Sequence, residues 1–152
     1  MATITFHGAA QEVTGSCHLL ESPALGRVLL DCGMHQGGDA VERLRDEEFP
    51  FDPANIDAVI LSHAHLDHSG LLPKLAHEGF SGPVICTRAC AQLLEVMLND
   101  SVGLYLRDLE RTNLRNARRG REPLEAAYGK EDVDAVLKQC DGYPYASEIE
   151  LG

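Results

Sequence analysis

The stretch Asp57-Ala58-Val59-Ile60-Leu61-Ser62-His63-Ala64-His65-Leu66-Asp67-His68 runs an unbroken apolar segment into four side chains able to hold a metal. The apolar run lacks polar alternation, the pattern of a strand covered on both faces. Side-chain direction in extended chain has a period of two, so His63 and His65 project the same way and can reach one ion. Asp67 and His68, at the turn into a following helix, can face a second ion beside it. Imidazole nitrogen and carboxylate oxygen are the donors that borderline divalent ions such as zinc prefer. Two ions about 3.5–4 Å apart can activate water and polarise a scissile group together. A solvated turn would account for one histidine after a strand. It does not account for His, His, Asp and His within six residues.

Outward from this stretch the chain alternates strands and helices. Thr3 to Phe6, His18 to Glu21 and Arg27 to Asp31 are short β-prone runs, the last ending on a carboxylate, and Gly8, Gly15, Pro23 and Gly26 punctuate them as hairpins. Val41, Leu44 and Arg45 have helical spacing before Pro50 and Pro53. Asp57 to Ser62 is a strand. Ser69 can cap a helix through Leu71, Leu72, Leu75 and Ala76 to Gly79, and Pro83 to Thr87 reads as the next strand. That order makes a βαβ unit, whose sites form at the carboxyl ends of the strands. Leu93, Leu94, Met97, Leu98, Val102, Tyr105, Leu106 and Leu109 predict a long helix from Ala89 to about Asn116, broken at Gly103. Asn116 to Gly129 reads as loop and Glu131 to Cys140 as helix, with Val133, Val136 and Leu137 inward. Tyr143-Pro144-Tyr145 reads as extended, and Glu148 to Leu151 as the start of another strand.

Composition sets limits. A chain of 152 residues, 44% hydrophobic and 24% charged, suits one globular domain, and it holds no apolar run long enough to span a bilayer. The N-terminus lacks the basic and apolar regions of a secretory signal, so a cytoplasmic location is the default. Five cysteines, Cys17, Cys32, Cys86, Cys90 and Cys140, have neither paired spacing nor a CxxC, and read as buried free thiols. A net charge of −11 argues against coating nucleic acid by overall charge. Six of the 13 basic residues nevertheless lie between Arg107 and Arg121. Arg107, Arg111 and Arg115 share a helix face that could meet phosphates, although the interleaved Asp108 and Glu110 favour a solvated amphipathic helix. His7, His18, His35 and His77 have no partner pattern and read as surface or hydrogen-bonded core residues.

The run from His63 to His68 resembles the H-x-H-x-D-H motif of the metallo-β-lactamase superfamily. That resemblance implies an α/β (α+β) fold, the N-terminal part of an αββα sandwich, with His63 and His65 on a first zinc and Asp67 and His68 on a second. His7-Gly8-Ala9-Ala10-Gln11-Glu12-Val13-Thr14-Gly15-Ser16-Cys17 and Leu30-Asp31-Cys32-Gly33-Met34-His35-Gln36-Gly37 look like the opening of the β-CASP branch of RNA-processing nucleases. The likeness runs from Ile4 to about Leu151. It implies that Asp31 orients a ligand histidine rather than binding zinc as a main ligand, which suits a carboxylate accepting the other ring N–H of an imidazole. His35 stands where many relatives carry an aromatic residue.

The superfamily also uses a third histidine, a bridging aspartate and a further histidine, and no histidine follows His77. The expectation is that residues 1–152 are the N-terminal portion of the domain, ending before the third ligand motif and the inserted β-CASP domain. Alone they should bind metal weakly, be inactive, and leave an apolar face through which a homodimer could form. The parent protein is expected to be a zinc-dependent phosphodiesterase acting on single-stranded RNA. A glyoxalase-II-like thioester or small-ester hydrolase and a catalytically inactive scaffold partner are the alternatives.

Overall fold

The computed structural model describes residues 1–150. Its centre is one six-stranded sheet in sequence order: β1 (Thr3–Phe6), β2 (His18–Ser22), β3 (Gly26–Leu30), β4 (Ala58–Ile60), β5 (Val84–Thr87) and β6 (Cys140–Tyr143). β1, β2 and β3 pair antiparallel as hairpins, whereas β3 to β6 run parallel through helical crossovers. The helices are α1 (Ala40–Asp46), α2 (Leu66–Ser69), α3 (Leu72–His77), α4 (Arg88–Arg118) and α5 (Lys130–Gln139), with a 3-10 turn at Pro53–Asn55.

The helices cover one face of the sheet. Leu29, Val59 and Val84 point into that side and meet Leu72, Leu75, Leu94, Leu98, Val102, Val133 and Val136 in one buried core. Val28, Ala58 and Ile85 point to the other side, where Leu30, Ile60, Tyr143 and Ile149 pack against them. A cleft of about 480 Å³ opens there, lined by Val28, Ala58, Ile85, Tyr143 and Ile149 among others. All five cysteines are free, and Cys140 alone of them is only partly buried. Among the described residues, no helix is long and apolar enough to cross a membrane.

Several boundaries differ from the expectation. The strand expected over Asp57 to Ser62 is three residues, Ala58–Ile60: Asp57 stands before it with its carboxylate accepting the Arg27 N–H at 2.7 Å, and beyond it the Ser62 N–H turns to the Asp31 carboxylate at 2.8 Å. Ser69 does not cap the next helix. It ends α2, and its hydroxyl donates back to the carbonyls of Ala64 and His65, both at 3.0 Å. Pro73 explains the division into α2 and α3: lacking an N–H, it is tolerated only in a helix's first turn, and it lies at the start of α3.

Helix α4 passes Gly103 without a break. Buried Val102, Tyr105 and Leu109 hold both sides of it to the core, which outweighs the roughly 1 kcal/mol a glycine costs inside a helix. The last strand begins at Cys140 directly off α5, earlier than the Tyr143-Pro144-Tyr145 segment, of which only Tyr143 is strand. Asp141 and Gly142 are poor strand formers, and the extended form of Cys140 to Gly142 comes from pairing with Val84, Ile85 and Cys86. Tyr145 and Ala146 form a turn; Glu148 to Glu150 form no strand, and Leu151 lies outside the described residues.

Candidate metal centre

The site forms where β3 and β4, parallel neighbours, end side by side. Asp31 follows β3 in the left-handed region at φ 62°, a conformation that a short polar side chain tolerates better than most. The kink turns its carboxylate across the end of β4. It is 7% exposed and fully engaged: Oδ1 accepts the Ser62 N–H at 2.8 Å, while Oδ2 accepts the Ser16 hydroxyl at 3.0 Å, the Ser62 hydroxyl at 3.0 Å and lies 2.7 Å from His68 Nδ1.

Beyond Ser62 the chain makes one tight pass. Ala64 is buried and anchors it, His65 starts α2, and Asp67 and His68 lie in the first turn. Backbone bonds hold this turn from outside: the N–H groups of Ser16, Cys32 and Met34 donate to the carbonyls of Asp67, His68 and Leu66 at 2.8, 2.8 and 2.9 Å. Gly33 lies so close that a Cβ there would fall 1.7 Å from the Asp67 carbonyl oxygen.

One ligand atom each from His63, Asp67 and His68 lie within 4.8 Å of one another. The His63 ring centroid is 4.1 Å from that of His68 and 4.8 Å from that of His65. The structure thus brings the four residues together, with His65 at the outer rim beside Met97 and Gln36. The grouping crosses the expected pairing, since His63 approaches Asp67 and His68 as well as His65.

The hydrogen bonds engage Nδ1 of both His63 and His68. The Ser62 hydroxyl gives its proton to Asp31, so toward His63 Nδ1, 3.1 Å away, it is the acceptor, and His63 carries its proton on Nδ1. His68 Nδ1 likewise donates to Asp31. In its neutral form each ring then presents an Nε2 lone pair, the form a metal takes. Two imidazoles in the ligating tautomer and a carboxylate within one ion's reach are a donor set that fits a divalent metal. Ser16 and Ser62 are members of the site that the sequence does not mark. The only available signal is Ser62's place immediately before His63.

Of the other histidines, His35 has a defined role. Its Nδ1 lies 3.1 Å from Glu47 Oε1 and its Nε2 3.2 Å from Glu12 Oε1, so it clasps the segment at Glu12 to the end of α1. Its ring fills the space beside Gly15, where φ is +80° and a Cβ would meet the ring at 2.7 Å. Burial opposes its charge, but hydrogen bonds to Glu47 and Glu12 outweigh it and hold its pKa above the usual 6.5. A raised folded-state value means that the clasp stabilises fully below about pH 6.5 and fades as pH rises through the raised value. The stability difference between wild type and His35→Gln in urea is therefore expected to be larger near pH 6 than near pH 8; equal differences would remove the charge from this account. His77 pairs with Asp132 at 3.1 Å, and burial lowers the pKa of His7.

The family model for the metallo-beta-lactamase superfamily matches residues 10–104, and the chain belongs to that superfamily. Membership implies metal ions, and the donor set above is where this chain can hold them. Among curated relatives, "Ribonuclease TTHA0252" of Thermus thermophilus is 44% identical over 145 residues, 95% of this chain and 29% of its own length. "Transcription termination factor FttA" of Methanothermobacter thermautotrophicus is 43% identical over 113 residues, 72% of this chain and 17% of its own length. The chain thus spans less than a third of the length of these relatives. The metallo-beta-lactamase fold protein YhfI of Bacillus subtilis superposes with a TM-score of 0.40 at 28% identity, over 59% of this chain and 38% of its own.

Proposed function

We propose that this chain supplies part of the metal centre of a zinc-dependent RNA phosphodiesterase of the β-CASP branch. The observation that carries the proposal is the convergence of His63, Asp67 and His68 within 4.8 Å, with Nδ1 of both histidines held by hydrogen bonds. The substrate class is supported by the relatives named as a ribonuclease and a transcription termination factor. His63 and His65 would hold one zinc, Asp67 and His68 a second, with completion by ligands carried elsewhere in the parent protein. Two divalent ions there would supply Lewis-acid stabilisation of a phosphodiester and activation of water.

This chain's own residues bind and orient. His63 and His68 present lone pairs, and Asp31 holds His68 through Nδ1. Ser62 links Asp31 to His63, so one buried carboxylate sets the direction of both rings. Single-stranded RNA as substrate, a cytoplasmic location and pairing of two copies through the face at Val28, Ala58 and Ile85 belong to the same proposal.

Zinc titration against a chromophoric chelator tests the centre. His63→Ala/His68→Ala is expected to lose about 100-fold or more in zinc affinity, since each change deletes a ligand rather than a supporting contact worth about 10–100-fold. Unchanged affinity in the double variant would end the proposal. Assay of the parent protein on single-stranded RNA and on a thioester separates the substrates: thioester cleavage without RNA cleavage would favour the small-ester reading.

A further inference from the structure

We propose that the flank of α4 carrying Arg107, Arg111, Arg115 and Arg118 is a track for the phosphodiester backbone of single-stranded RNA leading away from the metal cleft. The inference rests on the nuclease reading for its choice of ligand. Its geometry stands separately.

Helix α4 is 31 residues long and passes the cleft early in its course, where Met97 lines the same small pocket as His65 and Asp67. Met97, Leu104, Arg111 and Arg118 follow at intervals of seven, two turns each, and so stay on one flank with a drift of about 20° per step. Arg115 stands five whole turns beyond Met97, about 27 Å along the axis, and Arg107 lies between. The side of the helix that faces the cleft at Met97 therefore becomes a row of guanidinium groups farther on.

These arginines are not neutralised. Arg107, Arg111, Arg115 and Arg118 are all exposed. Among the described residues, Arg111 alone of the four has an ion-pair partner, Asp108, at 3.5 Å with both side chains more than half exposed, a contact of little strength. Arg107 and Arg115 use Nε on the carbonyls four residues back, at 3.3 and 3.4 Å, and among the described residues their Nη groups have no hydrogen-bond partner. Asp100 shares this flank nearer the cleft, and Glu110 stands about 100° round the helix from Arg111.

In a chain of net charge −11, most of which would repel RNA, a row of four exposed guanidinium groups, of which only Arg111 has an ion-pair partner among the described residues, is a local exception. Their rigid two-donor forks match phosphate oxygens, and a rise of about 6 Å per four-residue step lets successive side chains follow one extended strand. An acidic protein segment would satisfy the same charges. The alignment with a cleft built to cut a phosphodiester favours the nucleic acid.

Fluorescence anisotropy with a labelled oligouridylate, in chelator and across a salt series, tests the track. The variant Arg107→Gln/Arg111→Gln/Arg115→Gln/Arg118→Gln is expected to bind about 10-fold or more weakly. The slope of log affinity against log salt should fall by about 2–3, near 0.7 for each phosphate no longer neutralised. Circular dichroism should show the helix intact, and Arg45→Gln, on α1, should bind as wild type. No binding by wild type, or a variant with unchanged affinity and slope, overturns the track. Equal competition by polyglutamate at the same arginines overturns RNA in favour of an acidic protein. Cleavage assays on the parent protein keep the two proposals apart. Binding that depends on these arginines without RNA cleavage sinks the nuclease reading, whereas cleavage indifferent to them sinks the track.

Discussion

Replacing Asp31 by alanine is expected to lower stability by about 3 kcal/mol or more and to abolish measurable zinc affinity in the chain. The carboxylate is buried and meets the Ser62 N–H, two serine hydroxyls and the His68 imidazole. Deleting it leaves those donors without partners, each at about 1–3 kcal/mol if none relaxes to water. Alanine also tolerates the left-handed backbone at φ 62° less well than aspartate, whose short polar side chain can hydrogen-bond locally. The conservative Asp31→Asn distinguishes positioning from mere support of the fold. Asparagine keeps the shape and the backbone preference but offers one acceptor oxygen instead of two, so it cannot accept from the Ser62 N–H and from His68 Nδ1 together. The Asp31→Asn variant should retain most of the stability that the alanine variant loses, yet bind zinc about 10–100-fold more weakly than wild type. The Nδ1–H signal of His68 in long-range nitrogen-15 spectra should weaken relative to its Nε2–H form. Wild-type zinc affinity and an unchanged His68 tautomer in the asparagine variant would show that Asp31 supports the fold alone.

The strands and the metal turn can be read locally, whereas the apparatus that aims the turn cannot. An apolar run followed by His63, His65, Asp67 and His68 carries its meaning in spacing, and spacing is visible in one dimension. Ser16, Asp31 and Ser62 come from three separated stretches, and nothing periodic announces that they share a hydrogen-bonded knot. The family resemblance points to Asp31, includes Ser16 in its first stretch without giving it a role, and is silent on Ser62. Elsewhere a local rule is present and decides against the expected cap: Pro73 belongs in a helix's first turn, which places a new helix start at Leu72 rather than at Ser69. Lys74 shows the opposite limit. A charged residue on a short helix reads as solvent-facing, but it is 5% exposed. Its ammonium donates to the carbonyls of Leu44 and Glu47, satisfying the end of α1. The strand at Cys140 is a third case, formed by a neighbour's backbone against its own weak propensity.

Gly33→Ala should be the most damaging single-methyl change near the site, costing about 3 kcal/mol and lowering zinc affinity more than about 10-fold. An added Cβ would lie 1.7 Å from the Asp67 carbonyl oxygen, 2.2 Å from its carbon and 2.7 Å from the His68 nitrogen. All three atoms are backbone, so no rotamer change relieves the overlap. Either residues 32–34 or the metal turn must move. Both movements break the bonds by which Cys32 and Met34 hold the carbonyls of His68 and Leu66. The stability cost and the loss of affinity should therefore appear together, because one displacement causes both. Gly103→Ala provides the internal comparison. A Cβ there meets nothing within 4 Å, and the position is mid-helix, so the same added methyl should stabilise by about 0.5–1 kcal/mol and leave zinc binding alone. Urea midpoints and chelator titrations on both variants check the contrast. A Gly33→Ala protein with an unaltered midpoint would mean that the segment at Gly33 is not pressed against the metal turn, and that the turn's geometry is set by Asp31 and the two serines alone.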